Sequence, residues 1–186
     1  MDVGADRARL LQLLTERSFA RRKVVLSSGR ESDFYIDCKR TVLTAEGHVL
    51  VGRLFLHAIR QACPEALGVG GLTLGADPLA SAVSLTSFLQ GHPLAAFIVR
   101  KEPKGHGTGQ WVEGLSSFQP GDAVAVVEDV VTTGASTLKA LQRAQAEGLR
   151  PTHAFALVDR LEGGREAVEA AGFQLVSLFT RKDFIP

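Results

Sequence analysis

The run VVEDVVTTGAS, residues 126–136, joins an apolar segment to two adjacent carboxylates, Glu128 and Asp129, and then to a Thr-Thr-Gly-Ala-Ser turn. If that turn opens a helix, its free backbone N–H groups and the hydroxyls of Thr132, Thr133, Ser136 and Thr137 form an anion site suited to a phosphate monoester. Gly134 lets the backbone come close to the anion, with Ala135 beside it. Carboxylates next to a phosphate cradle repel the ligand unless they face another part of it. The hydroxyls of a sugar phosphate resolve the conflict, because they lie several ångströms from the phosphate and donate to carboxylates. The competing reading is an acidic strand end and an ordinary helix cap, since Asp, Ser and Thr are common at helix starts. Strand, acidic pair and turn in this order favour the ligand site.

A second group lies upstream. Arg100, Lys101, Lys104 and His106 bring three fixed positive charges and one titratable donor into seven residues of a polar, glycine-rich segment. Such a cluster suits a leaving group of high negative charge such as pyrophosphate, although in isolation it reads as a solvated basic loop. Trp111, at the far end of the segment, reads equally as a hinge anchor or as packing. Arg160 follows an apolar run and suits bidentate binding of a carboxylate; taken alone it reads as readily as a surface ion pair with Asp159 or Glu162. Phe34 and Tyr35 are candidate walls of a ligand pocket, against the commoner role of strand aromatics as core. His48, His57, His92 and His153 have no partners at metal-ligand spacing, and neither do Cys38 and Cys63, which read as a reduced strand residue and a reduced helix-end residue.

These groups need elements to hold them. Residues 6–17 carry Leu10, Leu11, Leu13 and Leu14 on one side and read as an opening helix. The stretch KVVLSSGRESDFYIDCKR reads as a hairpin turning at residues 28–31. Thr44 caps a helix whose apolar residues Val49, Leu50, Leu54, Phe55, Ala58 and Ile59 recur at helical spacing until Pro64 ends it. Extended runs at residues 67–71, 94–99, 123–127, 154–158 and 175–179 then alternate with helices, one opening at Asp77 and Pro78, one from about Ala135 to Gly148, and a short one at residues 165–171. This alternation predicts an α/β fold, a five-stranded parallel sheet flanked by helices. The expected layout is a single domain over residues 1–186, with a small N-terminal hood formed by about residues 1–43 and the C-terminal end. Ligands in such sheets bind at the carboxyl ends of the strands, so the loops after Val69, Val99, Val127 and Val158 should carry the chemistry.

Composition narrows the function classes. With 45% hydrophobic and 22% charged residues the chain can bury a real core. Its 21 basic and 20 acidic residues leave a formal charge of +1, so no global field recruits nucleic acid or an anionic membrane. The longest apolar runs stop far short of the ~20 residues that cross a bilayer. The helical start MDVGADRARLLQLL, with Asp2 and Asp6 ahead of its first arginine, is unlike the basic start of a signal peptide, which makes a cytoplasmic protein the expectation.

The residues also carry a resemblance. VVEDVVTTGAS resembles the 5-phosphoribosyl pyrophosphate (PRPP) motif of the type I phosphoribosyltransferases. Within that group, RKEPKGHGTGQWVEG resembles the mobile catalytic loop of the orotate phosphoribosyltransferase family, LSSGRESDFYID its orotate-side hairpin, and VDRLEGGRE its strand-end segment through Asp159 and Arg160. The likeness runs from about Phe19 to Phe184. It implies transfer of ribose 5-phosphate from PRPP to N1 of orotate, giving orotidine 5'-monophosphate and pyrophosphate in pyrimidine biosynthesis. It assigns PRPP to Arg100, Lys101, Lys104, His106, Glu128, Asp129, Thr132, Thr133, Gly134, Ala135 and Ser136, with catalytic work at Lys101, Lys104, His106 and Asp129. Orotate falls to Phe34, Tyr35, Thr132 and Arg160. The implied cofactor is Mg²⁺, held mainly by PRPP and water with no direct protein ligand. The implied assembly is a homodimer whose catalytic loop is shared between subunits.

Two positions depart from the family pattern. Ser27 stands where many members have a lysine before the Ser-Gly of the hairpin, and Leu74, in GGLTLGADP, stands where many have a second. Both remove positive charge from the site, for which Lys39 or Arg40 can compensate. Two rival readings keep the same motif: a phosphoribosyltransferase for another base, which has no use for Arg160 as a carboxylate clamp, and a non-catalytic PRPP-sensing regulator. The RKEPKGHG loop argues for catalysis, and the charge balance offers no basic face for DNA.

Overall fold

The structure is a computed structural model that describes residues 2–25, 31–103 and 109–185. Helix α1 (Val3–Arg17) opens it, its first turn capped by the Asp2 carboxylate accepting from Ala5 N at 3.0 Å. The hairpin follows as β1 (Phe19–Val25) and β2 (Glu31–Ile36), antiparallel, with Phe19 opposite Ile36. Most of its expected turn lies outside the described residues. Cys38 is not a strand residue. It precedes a single helical turn, α2 (Lys39–Val42), that leads to α3 (Ala45–Ala62). Thr44 caps α3 as its sequence predicts, its hydroxyl accepting from Gly47 N at 3.1 Å, and Cys63 ends the helix. Both cysteines are buried and free.

The central sheet comprises β3 (Gly68–Leu72), β4 (Ala95–Val99), β5 (Val112–Glu113), β6 (Ala123–Val131), β7 (Arg150–Asp159) and β8 (Gln174–Thr180). Its order is β5-β4-β3-β6-β7-β8. The five expected parallel strands are present, and the two-residue β5 adds a sixth, antiparallel to β4 at the edge. Connecting helices are α4 (Asp77–Leu89), α5 (Ala135–Ala146) and α6 (Gly164–Ala170).

The central strands are buried on both faces, which is why their sequences read as continuous apolar runs. Along β6, Ala125 and Val127 pack with Leu54, Phe55, Ile59 and Leu79 of α3 and α4. Val124 and Val126 join Ala140, Leu141 and Ala144 of α5 in a second cluster. Phe19, Phe34 and Phe184 stack with centroids 5.1–5.7 Å apart, tying the hairpin to the C-terminal turn. Arg181 adds an ion pair to Asp33 of β2 at 2.5 Å.

From β3 the chain crosses to β4 on one side and returns through β6 on the other. The direction of winding therefore reverses between β3 and β6. Side connections leave a crevice there at the carboxyl ends of the strands, the usual ligand position in an open α/β sheet.

Candidate active site

Strand β6 runs four residues beyond its apolar stretch, so the acidic pair lies on the strand itself. Strand geometry turns successive side chains to opposite faces. Glu128 points to the α5 side, where its Oε2 accepts from the Thr137 hydroxyl at 3.4 Å. Asp129 turns to the other side, with Lys39 Nζ 3.7 Å from its Oδ2. A β-carbon on Gly75 would sit 2.6 Å from Asp129 Oδ1, so the β3–α4 loop can meet this carboxylate only through a glycine.

Burial and the neighbouring Asp129 charge push the Glu128 pKa up to about 8. Lys39 also pairs with Asp37 at 3.0 Å, and its hydrogen bond to Asp37 raises its pKa.

The turn after β6 builds the cradle. Gly134 adopts φ +80° as the residue before α5, and residues 130–137 line a cavity of about 160 Å³. Thr132, Thr133, Gly134, Ala135 and Ser136 all face it. Ser136 also lines an adjoining cleft of about 330 Å³, together with Lys39, the β3–α4 loop from Leu72 to Gly75, Lys101, Glu128 and Asp129. Phosphate seat and acidic edge thus share Ser136 as a common wall at the switch point.

The other candidates divide. Lys101 reaches the cleft of its own chain, whereas Arg100 pairs with Glu113 at 3.0 Å and lines a neighbouring cavity with Thr73 and Asp77. Lys104 and His106 lie outside the described residues, as does Ser27. Leu74, at the position of the second absent lysine, is 70% exposed at the cleft edge. Arg160 is nearly buried; its Nη2 donates to the Phe34 carbonyl at 2.9 Å and pairs with Glu162 at 3.0 Å. Of the two ion pairs its sequence allows, the one with Glu162 forms.

One expectation is corrected. Phe34 is not an open pocket wall, because its ring is wholly buried among the hairpin aromatics. An apolar ring gains more from that packing than from facing solvent. Tyr35 is half-buried on β2. Sequence alone gave no signal for Arg143 of α5, which stacks on Trp111 at 3.5 Å, nor for the place of Gly75 beneath Asp129.

Among the described residues no three or more His, Cys, Asp or Glu side chains converge. Asp129 offers hard oxygen donors at the cleft, which fits a hard divalent cation that takes most of its shell from ligand and water.

Geometry of this kind defines a class, the α/β proteins that seat a sugar phosphate at the switch point of a sheet. No family model matches the chain. It is 57% identical over 183 residues to the orotate phosphoribosyltransferase of Sorangium cellulosum (strain So ce56), covering 98% of this chain and 95% of the relative. It is 44% identical to that of Aquifex aeolicus (strain VF5), covering 97% and 98%. The crystal structure of the Mycobacterium tuberculosis H37Rv orotate phosphoribosyltransferase in complex with PRPP matches with a TM-score of 0.77 at 38% identity, covering 96% and 98%. The chain belongs to the orotate phosphoribosyltransferase family.

Proposed function

We propose that the protein transfers ribose 5-phosphate from PRPP to N1 of orotate, releasing pyrophosphate and forming orotidine 5'-monophosphate, a step of pyrimidine biosynthesis. The observation that carries this reading is that Ser136 lines both the phosphate cradle and the acidic cleft beside it. The backbone and hydroxyls of residues 132–136 hold the 5-phosphate at the start of α5. Asp129 accepts from a ribose hydroxyl. Glu128, carrying a proton below about pH 8, shares the same edge.

N1 of orotate attacks the anomeric carbon as the bond to pyrophosphate breaks, through an oxocarbenium-like transition state. Little proton transfer is needed, so the protein acts mainly by positioning and by stabilising charge. Lys101 meets the charge that grows on pyrophosphate, joined by Lys104 and His106. Lys39 supplies positive charge on the side where Leu74 has none. Arg160 reads the orotate carboxylate, with Thr132 and Tyr35 nearby in the same role. Mg²⁺, when bound, supplies charge neutralisation on the pyrophosphate and ribose oxygens.

The active unit is a homodimer, for which the exposed apolar residues at the end of α4, Leu85, Phe88 and Leu89, supply a surface a second copy would cover. The compartment is the cytoplasm, in keeping with two buried thiols that form no disulfide.

Orotate consumption with PRPP and Mg²⁺, followed by absorbance beside parallel reactions with uracil, hypoxanthine and adenine, tests the reading. Loss of orotate alone, reversed by added pyrophosphate, is the expected result. Turnover of another base would overturn the role of Arg160 while keeping the cradle. PRPP binding without any turnover would leave a PRPP-sensing regulator.

A further inference from the structure

We infer that Arg143 is the positioning residue that sets where Lys101 enters the cleft. The inference rests on the reading above, in which Lys101 meets the pyrophosphate end of PRPP. Arg143 lies on α5, eight residues after Ala135, and so roughly 12 Å along the helix from the phosphate cradle. Its Nη1 donates to the carbonyl of Arg100, and its Nη2 to the carbonyl of Lys101 at 3.4 Å. Its guanidinium lies over the Trp111 ring, 3.5 Å from the centroid. Just past the end of α5, Glu147 Oε1 accepts from Trp111 N at 3.4 Å.

These contacts grip both sides of one stem. Arg100 N donates to the Trp111 carbonyl at 2.8 Å, and the next residues pair as Val99 with Val112 and Ile98 with Glu113. The outgoing and returning strands are therefore held to each other and, through Arg143 and Glu147, to one face of α5. An arginine whose task is surface charge balance would face a carboxylate. Among the described residues Arg143 instead directs its donors to main-chain carbonyls and its plane to an aromatic ring.

The functional consequence follows from where α5 begins. The same rigid helix holds the 5-phosphate at its start and the Lys101 backbone on its side. The separation between the two ends of bound PRPP is then matched by a fixed length of helix. Anchoring the Lys101 backbone leaves only its side-chain torsions to be searched, which narrows the approach to the reactive geometry. Lysine cannot replace Arg143 fully, because one ammonium cannot fork to two carbonyls and stack on a ring.

The test is a double-mutant cycle with Lys101. Arg143→Ala is expected to lower kcat by about tenfold to a hundredfold, the scale of an ångström-sized misplacement, while KM for orotate stays within about twofold. Arg143→Lys should fall between that variant and the wild type. In a Lys101→Ala background, Arg143→Ala should cost almost nothing further, since the group it positions is gone. Trp111 is the chain's single tryptophan, so its emission reports directly whether the stem has loosened. An equal fold-loss in both backgrounds would overturn the inference, as would an unchanged kcat with shifted Trp111 emission. If Arg143→Ala does not fold, Arg143→Lys carries the same cycle with the same two criteria. A wild type that binds PRPP but turns over no orotate would sink the preceding reading instead. A Lys101→Ala variant that keeps the wild-type kcat would remove the group on which this inference depends.

Discussion

Glu128 is 6% exposed on β6 and adjoins Asp129, and desolvation and the neighbouring charge together push its pKa up to about 8. The ordinary value for this carboxyl is 4.5. Between the two values the folded protein holds a proton that the unfolded chain has released, so this group's contribution to stability falls as pH rises. It is fully present below about 4.5 and lost by the time pH passes about 8. Glu128→Gln imitates the neutral form and removes the titration. The melting temperature of the variant, relative to wild type, should therefore be higher at pH 8.5 than at pH 5, by several degrees on the scale of ~1 kcal/mol or more. A difference that stays flat across this range would mean that Glu128 is ionised throughout. Sequence identified the pair but not its division, because adjacency in the chain does not say on which side of a strand each carboxylate lies until the strand's end is known. Phe34 was misleading for a related reason: an aromatic strand residue has the same sequence signature whether it faces a pocket or a core.

Helix α5 links the cradle to the rest of the sheet, and the residue before it carries the strictest backbone demand. Gly134 has φ +80°, and a β-carbon there would lie 2.8 Å from the Gly164 carbonyl oxygen. Gly134→Ala should cost about 2–3 kcal/mol, part from the left-handed backbone and part from displacing α6. Gly121 is the control, since it has φ +90° but nothing within 4 Å of an added β-carbon. Gly121→Ala should cost only the backbone share, about 1 kcal/mol. Urea denaturation of both variants measures the difference, and equal losses would show that the contact with Gly164 carries no energy. At this scale much was legible in the sequence. Thr44 marked α3 and Pro78 marked α4, because a capping hydroxyl and a first-turn proline are local chemistry. The two residues of β5 and the four of α2 were not legible, since neither is long enough to complete a period. What fixes β5 is its partner β4 and the α5 face behind it, contacts that are distant in sequence.

A single chain already contains the cradle, the acidic edge and Lys101. A loop shared between subunits, as proposed, would then contribute through the other basic loop groups, Arg100, Lys104 and His106, of which Arg100 is paired with Glu113 of its own chain. Mixing two inactive proteins separates the cases. In a heterodimer of Lys104→Ala and Asp129→Asn chains, a lysine acting across the interface leaves one site wholly intact, with Asp129 from one chain and Lys104 from its partner. Free exchange then yields about half heterodimers, each with one working site, and activity should recover to roughly a quarter of wild type. The same mixture made with Lys101→Ala should stay inactive. If Lys101 serves its own chain, as its place at the cleft predicts, the mutated lysine and the mutated aspartate fall in different sites and neither site is whole. Recovery in both mixtures would place Lys101 across the interface as well and contradict the cleft seen in one chain. Recovery in neither, with exchange demonstrated by a tagged subunit, would mean that each chain completes its own site and that the exposed apolar end of α4 serves assembly without sharing chemistry.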